Sequence, residues 1–204
     1  MPKTLTRKLE QESITFDEFC FLVKDKQKAD LIDGVIYMAS PDNTEAYRLN
    51  RWLIGLLEDF VLERDLGEMF GFRIAFRLDD TNSPEPDIAF VQKSRLSLVK
   101  RGFIDGFPDV AIEIVSPESI ERDYKKKRRQ YEKFGVREYW IIDEMEETVT
   151  LLRLNSKGKY QEVRPRSGVY HSDVIAGFWL DPTWLWMSPR PRKSVVLAEL
   201  LVEE

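Results

Sequence analysis

Apolar residues near the start of the chain follow first a helical and then a strand-like pattern. Residues 16–22 place apolar side chains at helical spacing directly after Thr15, which predicts a short amphipathic helix capped by Thr15. Residues 29–38 are rich in apolar side chains of the strand-forming type, but Asp33-Gly34 is also the strongest two-residue turn signal. The pattern therefore predicts either one strand or a hairpin of two short strands.

An apolar stripe between Leu49 and Val61 predicts a long core helix. Leucine, tryptophan and phenylalanine recur on one face of this segment, at the spacing of an α-helix. The side chains of residues 40–42, Ser-Pro-Asp, are typical of a helix start, and the stripe ends near Arg64. We therefore expect a helix from about residue 40 to residue 64.

Shorter apolar runs in the rest of the chain predict a sheet. The predicted strands cover residues 67–78, 86–91, 109–115, 137–143, 148–155 and 160–164, with a loop over residues 94–107 that could contain a helical turn. Ser116-Pro117-Glu118 is a strong helix start, and the helix that follows should end at Gly135. This strand-helix-strand unit lies among strands joined by turns. We predict an α/β (mixed α+β) fold with a mixed central β-sheet flanked by helices.

Composition excludes several kinds of site. The 204 residues include one cysteine, Cys20, and one histidine, His171, so internal disulfides, cysteine zinc clusters and two-histidine metal centres are excluded. Any Ser-His-Asp scheme would have to use His171, which lies in a turn-like segment. There is no apolar run of about 20 residues and no apolar signal segment at the N-terminus, so we expect a cytoplasmic protein without a membrane span.

The charge balance limits how nucleic acid could bind. Net charge is -5, so the chain lacks the overall basic character of an avid nucleic-acid binder, and any such binding must be local. Residues 125–129, Lys-Lys-Lys-Arg-Arg, form the one dense basic run. This run is either a solvated helix face or a surface for the phosphate backbone.

Two carboxylates stand out because their strands are otherwise apolar. Asp87 begins the strand at residues 86–91, and Glu113 lies inside the strand at 109–115. A carboxylate in a buried strand is costly unless it is paired, hydrogen-bonded or metal-bound. Each residue alone fits a structural ion pair or a turn cap. Together, on neighbouring strands, they could supply oxygen ligands to Mg²⁺ or Mn²⁺.

Lys127 is the third candidate in this group. It lies four residues after Asp123 and four before Tyr131, so the three side chains share one face of the helix that follows Glu113. A lysine beside a metal-bound carboxylate pair could orient or deprotonate the attacking water, or neutralise charge that develops on a phosphate. Spacing alone does not separate Lys127 from Lys125 or Lys126, or from a surface lysine paired with Asp123.

These residues resemble the Uma-type endonuclease family, which is similar to the PD-(D/E)XK restriction-nuclease superfamily. The resemblance implies a restriction-endonuclease-like core over residues 14–186, with tails at 1–13 and 187–204. The matching segments are residues 29–36, 38–41, 86–89, 112–117 and 135–140, together with Asp123, Lys127 and Tyr131.

The resemblance also implies roles for individual residues. Asp87 and Glu113 match the metal-binding acids of the superfamily, and Lys127 matches the lysine of the Uma-type pattern. Position 115, where the superfamily usually has its lysine, holds Val115. Asp30 stands where the family often has a glutamate and would help to position the metal, although an exposed acid at a strand edge is an equal alternative. The following helix suggests Lys125, Lys126, Arg128 and Tyr131 as possible substrate-binding residues.

The leading hypothesis from the sequence is a metal-dependent endonuclease that uses Mg²⁺ or Mn²⁺ to hydrolyse phosphodiester bonds in DNA. The family resemblance also suggests a homodimer. The alternative is a catalytically silent nuclease-fold domain that binds nucleic acid or protein, in which Glu113 and Lys127 form a buried ion pair. A glycoside hydrolase built on two carboxylates is a third class, and the basic helix and the resemblance argue against it.

Overall fold

The computed structural model describes residues 13–23, 27–40, 43–71 and 73–202. The predicted N-terminal tail therefore lies, apart from Ser13, outside the described residues. The strands are β1 (Ala29–Ile32), β2 (Val35–Met38), β3 (Gly67–Gly71), β4 (Ala75–Phe76), β5 (Ile88–Gln92), β6 (Phe103–Ile104), β7 (Val110–Val115), β8 (Glu138–Asp143), β9 (Thr148–Leu154), β10 (Tyr160–Val163), β11 (Tyr170–His171) and β12 (Trp179–Leu180). The helices are α1 (Phe16–Leu22), α2 (Thr44–Glu63), α3 (Arg128–Phe134), α4 (Thr183–Trp186) and α5 (Lys193–Leu201), with a 3₁₀-helix at Lys93–Leu98 and a π-helix at Arg122–Lys127.

A six-stranded mixed sheet forms the centre of the molecule, in the order β10-β9-β8-β7-β5-β3. Only β7 and β8 pair in parallel within this sheet, and they are joined through the π-helix and α3. The other neighbours in the sheet pair in antiparallel fashion, and the short turns that join β8 to β9 and β9 to β10 require this arrangement. The mixed sheet with flanking helices that the sequence predicts is confirmed.

The two faces of the sheet carry different cores because side chains alternate along each strand. Ile112 and Ile114 of β7 pack with the apolar stripe of α2 and with α5. Ala111 and Val115 lie on the opposite face and pack with Tyr131 of α3. Glu113 alternates with Ala111 and Val115 along β7, so its side chain lies on this second face, where the helix that follows β7 covers it.

Helix α1 and the β1–β2 hairpin form a small layer beside the central sheet. Thr15 and Glu18 make the reciprocal hydrogen bonds of a capping box, which begins α1 where the sequence predicts. Asp33 and Gly34 both have positive φ, at 48° and 73°, and form the turn between β1 and β2. The hairpin alternative is therefore confirmed, and β1 is buried along its whole length.

Two predicted boundaries were wrong. Helix α2 begins at Thr44, because the Asn43 side chain accepts hydrogen bonds from the backbone N–H groups of Glu45 and Ala46. Of the start predicted at residues 40–42, Pro41 and Asp42 lie outside the described residues. The strand predicted at residues 67–78 is divided into β3 and β4. The helical turn considered within the loop at 94–107 is present as most of the 3₁₀-helix, and the same segment also contains the short strand β6.

The C-terminal part of the chain packs on the core. Val196 and Leu200 of α5 are 2% exposed and belong to the cluster that α2 forms with the sheet. The segment expected as a tail, residues 187–204, therefore contains a packed helix, and the domain boundary stays a prediction. Among the described residues, no candidate membrane-spanning helix is found.

Candidate active site

Asp87 and Glu113 lie beside each other on neighbouring strands. In the antiparallel pair of β5 and β7, Ile88 is opposite Ile112, so the next position in this register brings Asp87 opposite Glu113. The backbone N–H of Ile114 donates to Asp87 Oδ2 at 2.8 Å, which fixes the aspartate against β7. Sheet register therefore brings together two acids that are 26 residues apart in the sequence.

Glu113 is buried and receives two hydrogen bonds on the same oxygen. Lys127 Nζ and the Tyr131 hydroxyl each donate to Oε1 at 2.8 Å, and Oε2 takes part in neither bond. Burial raises the pKa of Glu113 to about 8, with Lys127 opposing the shift and Asp87 adding to it. The helix after β7 thus returns a lysine to the sheet face that holds Glu113.

Lys127 is 1% exposed and is surrounded by acids. Its Nζ lies 3.0 Å from Asp30 Oδ1, 2.8 Å from Glu113 Oε1 and 4.0 Å from Asp123 Oδ1. Burial disfavours its charged form, but the carboxylates of Asp30, Glu113 and Asp123 outweigh burial and raise the pKa of Lys127. The Lys127 ammonium group therefore bridges the carboxylates of Asp30 and Glu113.

A π-helix carries Lys127 into this position. The segment Arg122–Lys127 is wound as a π-helix, and α3 continues from Arg128. Asp123 and Lys127 are the buried residues of this segment. Single π-turns occur often at functional sites, because an inserted residue changes which side chains share a face. The sequence predicts a regular helix here, and helical periodicity does not reveal the π-turn.

Asp30 is fully buried and belongs to the same cluster. Its Oδ1 accepts the backbone N–H of Glu85 at 2.9 Å and also meets Lys127. Its Oδ2 lies 3.4 Å from Arg122 Nε without a hydrogen bond of proper geometry. The exposed strand-edge position considered for Asp30 was therefore wrong, because the whole of β1 is covered by neighbouring segments.

Lys28 is a member of the site that the sequence analysis missed. Its ammonium group bonds to Asp87 Oδ1, and about a fifth of its side chain is exposed. Burial favours the neutral acid of Asp87, but Lys28 and Lys127 outweigh it and hold the pKa of Asp87 below its usual value. A possible signal was its position two residues before Asp30, since alternate residues of a strand face the same side.

A small cleft of about 30 Å³ opens beside these residues. Asp87, Glu113, Asp123, Lys28 and Arg122 are among the residues that line it. Asp123 Oδ1 is buried there and makes no hydrogen bond with any described residue. The cleft therefore combines carboxylate oxygens with an acceptor that has no donor, which is a donor set suited to a divalent cation.

The carboxylates of the cluster exceed its cations by one. Asp30, Asp87, Glu113 and Asp123 meet Lys28, Arg122 and Lys127. Among the described residues, no group of three or more His, Cys, Asp or Glu side chains has the arrangement of a metal cage. Mg²⁺ commonly uses one or two carboxylates and keeps several waters, so a pair such as Asp87 and Glu113 fits this ion.

The residues expected to bind substrate on the following helix lie in different environments. Lys125 and Arg128 are exposed, and neither is among the described residues that line the cleft. Lys126 donates to the Tyr37 hydroxyl at 2.8 Å and lies 4.5 Å from the centre of that ring. Tyr131 is 0% exposed, so its hydroxyl supports Glu113 from inside the core.

Comparisons with known proteins identify the family of the chain and a shared fold. The family model Uma2, described as "Putative restriction endonuclease", matches residues 15–183. A crystal structure titled as a putative nuclease belonging to DUF820, from Anabaena variabilis ATCC 29413, is 23% identical with a TM-score of 0.70. The match covers 85% of this chain and 97% of that one, and at this identity it shows a shared fold. No curated protein matches the chain.

Proposed function

Because this chain belongs to the Uma2 putative restriction endonuclease family, we propose that it is a metal-dependent endonuclease that hydrolyses phosphodiester bonds in DNA. The observation that supports the proposal most directly is the placement of Asp87 and Glu113 opposite each other at a cleft. These two carboxylates would hold Mg²⁺ or Mn²⁺. The bound ion would polarise the phosphate and lower the pKa of a water molecule.

The side chains around the two carboxylates have separate tasks in this proposal. Lys127 bonds to Glu113 and Asp30 in the protein interior, so in this proposal it acts as a positioning residue that holds Glu113 and neutralises charge. Asp30 and Tyr131 fix Lys127 and Glu113 from the protein interior. Lys127, Asp30 and Tyr131 are buried, so the substrate would contact other groups of the site.

Lys28 is the lysine placed to meet the substrate. Its Nζ bonds to Asp87, its side chain is partly exposed, and it lines the cleft. An ammonium group at this point can donate to a phosphate oxygen as negative charge develops there. The N-terminus of α2 lies at the same cleft through Asn43 and Ala46, and its positive dipole also favours an anion.

A cleavage assay tests the proposal. Plasmid DNA, linear duplex, single-stranded DNA and RNA are incubated with the protein and Mg²⁺ or Mn²⁺. We expect Asp87→Asn and Glu113→Gln, each shown by circular dichroism to be folded, to lower the cleavage rate by at least about 100-fold, because each removes a carboxylate ligand of the metal. Glu118→Gln, at an exposed acid near the cleft, is the matched control. Cleavage at the normal rate by both site variants would overturn the proposal.

The second candidate is a catalytically silent domain that binds nucleic acid or protein. The observation in its favour is that Lys28 and Lys127 already pair with Asp87 and Glu113, so the acids are compensated without a metal. Thermal unfolding with and without Mn²⁺ separates the two. If the protein has a metal site, Mn²⁺ at a concentration of 100 times its Kd should stabilise the folded state by about 2.7 kcal/mol. Asp87→Asn should abolish this gain.

The remaining expectations from the sequence are part of the same proposal. Nucleic acid, and DNA in particular, is the proposed substrate. A homodimer and a location in the cytoplasm stay predictions, to be tested by light scattering and by fractionation of cells.

A further inference from the structure

A broad open groove lies between α2 and the C-terminal segment, outside the candidate active site. Its volume is about 720 Å³, far larger than that of the cleft at Asp87 and Glu113. The side chains that give it its character are Arg48, Arg51, Trp52, Trp186, Arg190 and Lys193, which we call the basic groove. Two of its arginines lie on the exposed side of α2, three residues apart, so they neighbour each other on the helix surface.

The basic groove concentrates positive charge in an acidic protein. Four of its lining residues are cationic, and Glu45 is its one acidic lining residue among those described. Glu45 pairs with Arg48, and Asp59 beside the groove pairs with Lys193 at 3.9 Å; both pairs lie at the exposed surface, where such pairs contribute little. The whole chain has a net charge of -5, so this excess of positive charge is local. A surface of this kind attracts polyanions.

The basic groove adjoins the candidate active site through residues that line more than one cleft. Arg51 also lines a smaller cleft of about 180 Å³, together with Lys28, Arg73 and Asp87. Lys28 and Asp87 in turn line the cleft that holds Glu113. A path of cationic side chains therefore leads from the two carboxylates, past Arg51, to the C-terminal segment.

Hydrogen bonds hold the walls of the basic groove in place. Trp52 Nε1 donates to the backbone carbonyl of Pro191 at 2.8 Å and ties the C-terminal segment to α2. Arg190 Nε donates to the carbonyl of Leu185 at 2.9 Å. Trp52 and Trp186 are half-buried, so parts of both rings remain accessible in the groove. The cations thus stand on a fixed surface that also offers aromatic area.

We propose that the basic groove binds the phosphate backbone of one strand of a DNA duplex and guides it to the candidate active site. This inference rests on the proposed function and names the surface through which the substrate would be held. The positive charges match the regular negative charge of the backbone, and the path ends at the carboxylates where the phosphate would react. The exposed basic residues Lys125 and Arg128, on the π-helix and α3, are the competing surface.

Fluorescence anisotropy with a labelled 30-base-pair duplex in EDTA tests the groove without cleavage. The full chain is compared with Arg48→Ala/Arg51→Ala and with Lys125→Ala/Arg128→Ala. Both pairs are exposed, three residues apart on a helix, and each loses two positive charges. We expect the groove variant to raise the Kd about tenfold or more and to reduce the slope of log Kd against log salt by about 2. The other variant should stay within about twofold of the normal Kd.

Other results overturn the inference. A normal Kd and salt slope for Arg48→Ala/Arg51→Ala, with circular dichroism showing a folded protein, would exclude the basic groove. A larger loss from Lys125→Ala/Arg128→Ala would assign binding to the competing surface, and absence of DNA binding by the unaltered chain would also overturn the inference.

The Glu113→Gln protein separates this inference from the proposed function. It should bind the duplex in EDTA with the normal Kd while it fails to cleave with metal. If it cleaves normally while the groove variant loses affinity, the proposed catalytic site fails and the basic groove stands. In the cleavage assay with Mg²⁺ or Mn²⁺, Arg48→Ala/Arg51→Ala should raise KM more than it lowers kcat. This result would distinguish a binding surface from a catalytic group.

Discussion

At the scale of single residues, the candidate site consists of charged side chains that are buried and must compensate one another. Lys127 has lost nearly all contact with water and is compensated by Asp30 and Glu113 at hydrogen-bonding distance. Removing one partner of such a group leaves an uncompensated charge, which typically costs about 3–5 kcal/mol. Lys28 differs because its side chain is partly exposed and contacts Asp87 at the cleft. The two lysines therefore have different tasks. Lys127 maintains the buried cluster, whereas Lys28 can exchange Asp87 for a phosphate oxygen of the substrate.

Lys28→Met tests the second of these tasks. We expect the apparent Kd for Mn²⁺ to decrease several-fold, because an ammonium group that competes with the metal for Asp87 is gone. Cleavage should nevertheless slow, since the donor to the phosphate is also gone. Isothermal titration with Mn²⁺ measures the first effect. Lys93→Met, which removes a lysine from the exposed pair with Asp65, is the matched control. Weaker Mn²⁺ binding by Lys28→Met would contradict the placement of Lys28 beside the metal ligand.

At the scale of elements, α3 must be held in a fixed position against the sheet, because Lys127, which directly precedes it, reaches Glu113 of β7. Glu132 of α3 provides one such connection: it accepts the backbone N–H of Tyr160 and the ammonium group of Lys159, both at 2.7 Å. These bonds lower the pKa of Glu132, with the lysine bond as the largest cause. They join α3 to the start of β10, at the edge of the sheet. The position of Lys127, one residue before α3, depends on such connections.

Glu132→Gln should therefore destabilise the protein in a pH-dependent way. A pKa that is lower in the folded state gives stability that is present above the unfolded pKa of about 4.3 and is lost as the pH falls through the folded value. The side chain is near the surface, so we expect a cost of about 1 kcal/mol at pH 7 and a clearly smaller cost at pH 3. Urea unfolding at both pH values measures the difference. An equal cost at both would show that the charge of Glu132 is not involved.

At the scale of the whole molecule, the C-terminal segment closes the core and also forms one wall of the basic groove. Val196 and Leu200 pack against the α2 side of the sheet, while Arg190 and Lys193 of the same segment line the groove. Stability and the proposed DNA surface thus share one structural support. We expect removal of residues 187–204 to weaken both, because Val196 and Leu200 would leave the core and Arg190 and Lys193 would leave the groove.

Two adjacent valines of α5 test this support. Val196 is 2% exposed and Val195 is 60% exposed. We expect Val196→Ala to lower the free energy of unfolding by about 2 kcal/mol, because it leaves a cavity in the core. Val195→Ala should change it by less than about 0.5 kcal/mol, since alanine is the better helix former and no packing is lost. Chemical denaturation gives both values, and equal effects would mean that α5 is not packed as described.

Local patterns in the sequence determined much of this protein. The Thr15 cap, the Asp33-Gly34 turn and the end of α3 at Gly135 depend on residues close together in the chain, so they could be predicted. The family followed from motifs in order along the chain, and it is confirmed. Asp87 and Glu113 stood out because a carboxylate in an apolar strand is costly, although their role stays a prediction.

Only the tertiary structure decided which side chains meet. Lys28 and Asp87 are 59 residues apart in sequence, and their contact depends on how the hairpin packs beside β5. The π-turn that carries Lys127 inward gives no signal in helical periodicity, and neither does the basic groove, whose cations come from α2 and from the C-terminal segment. Sequence patterns report the spacing along one element, whereas a site or a charged surface depends on register and packing between elements that are distant in the chain.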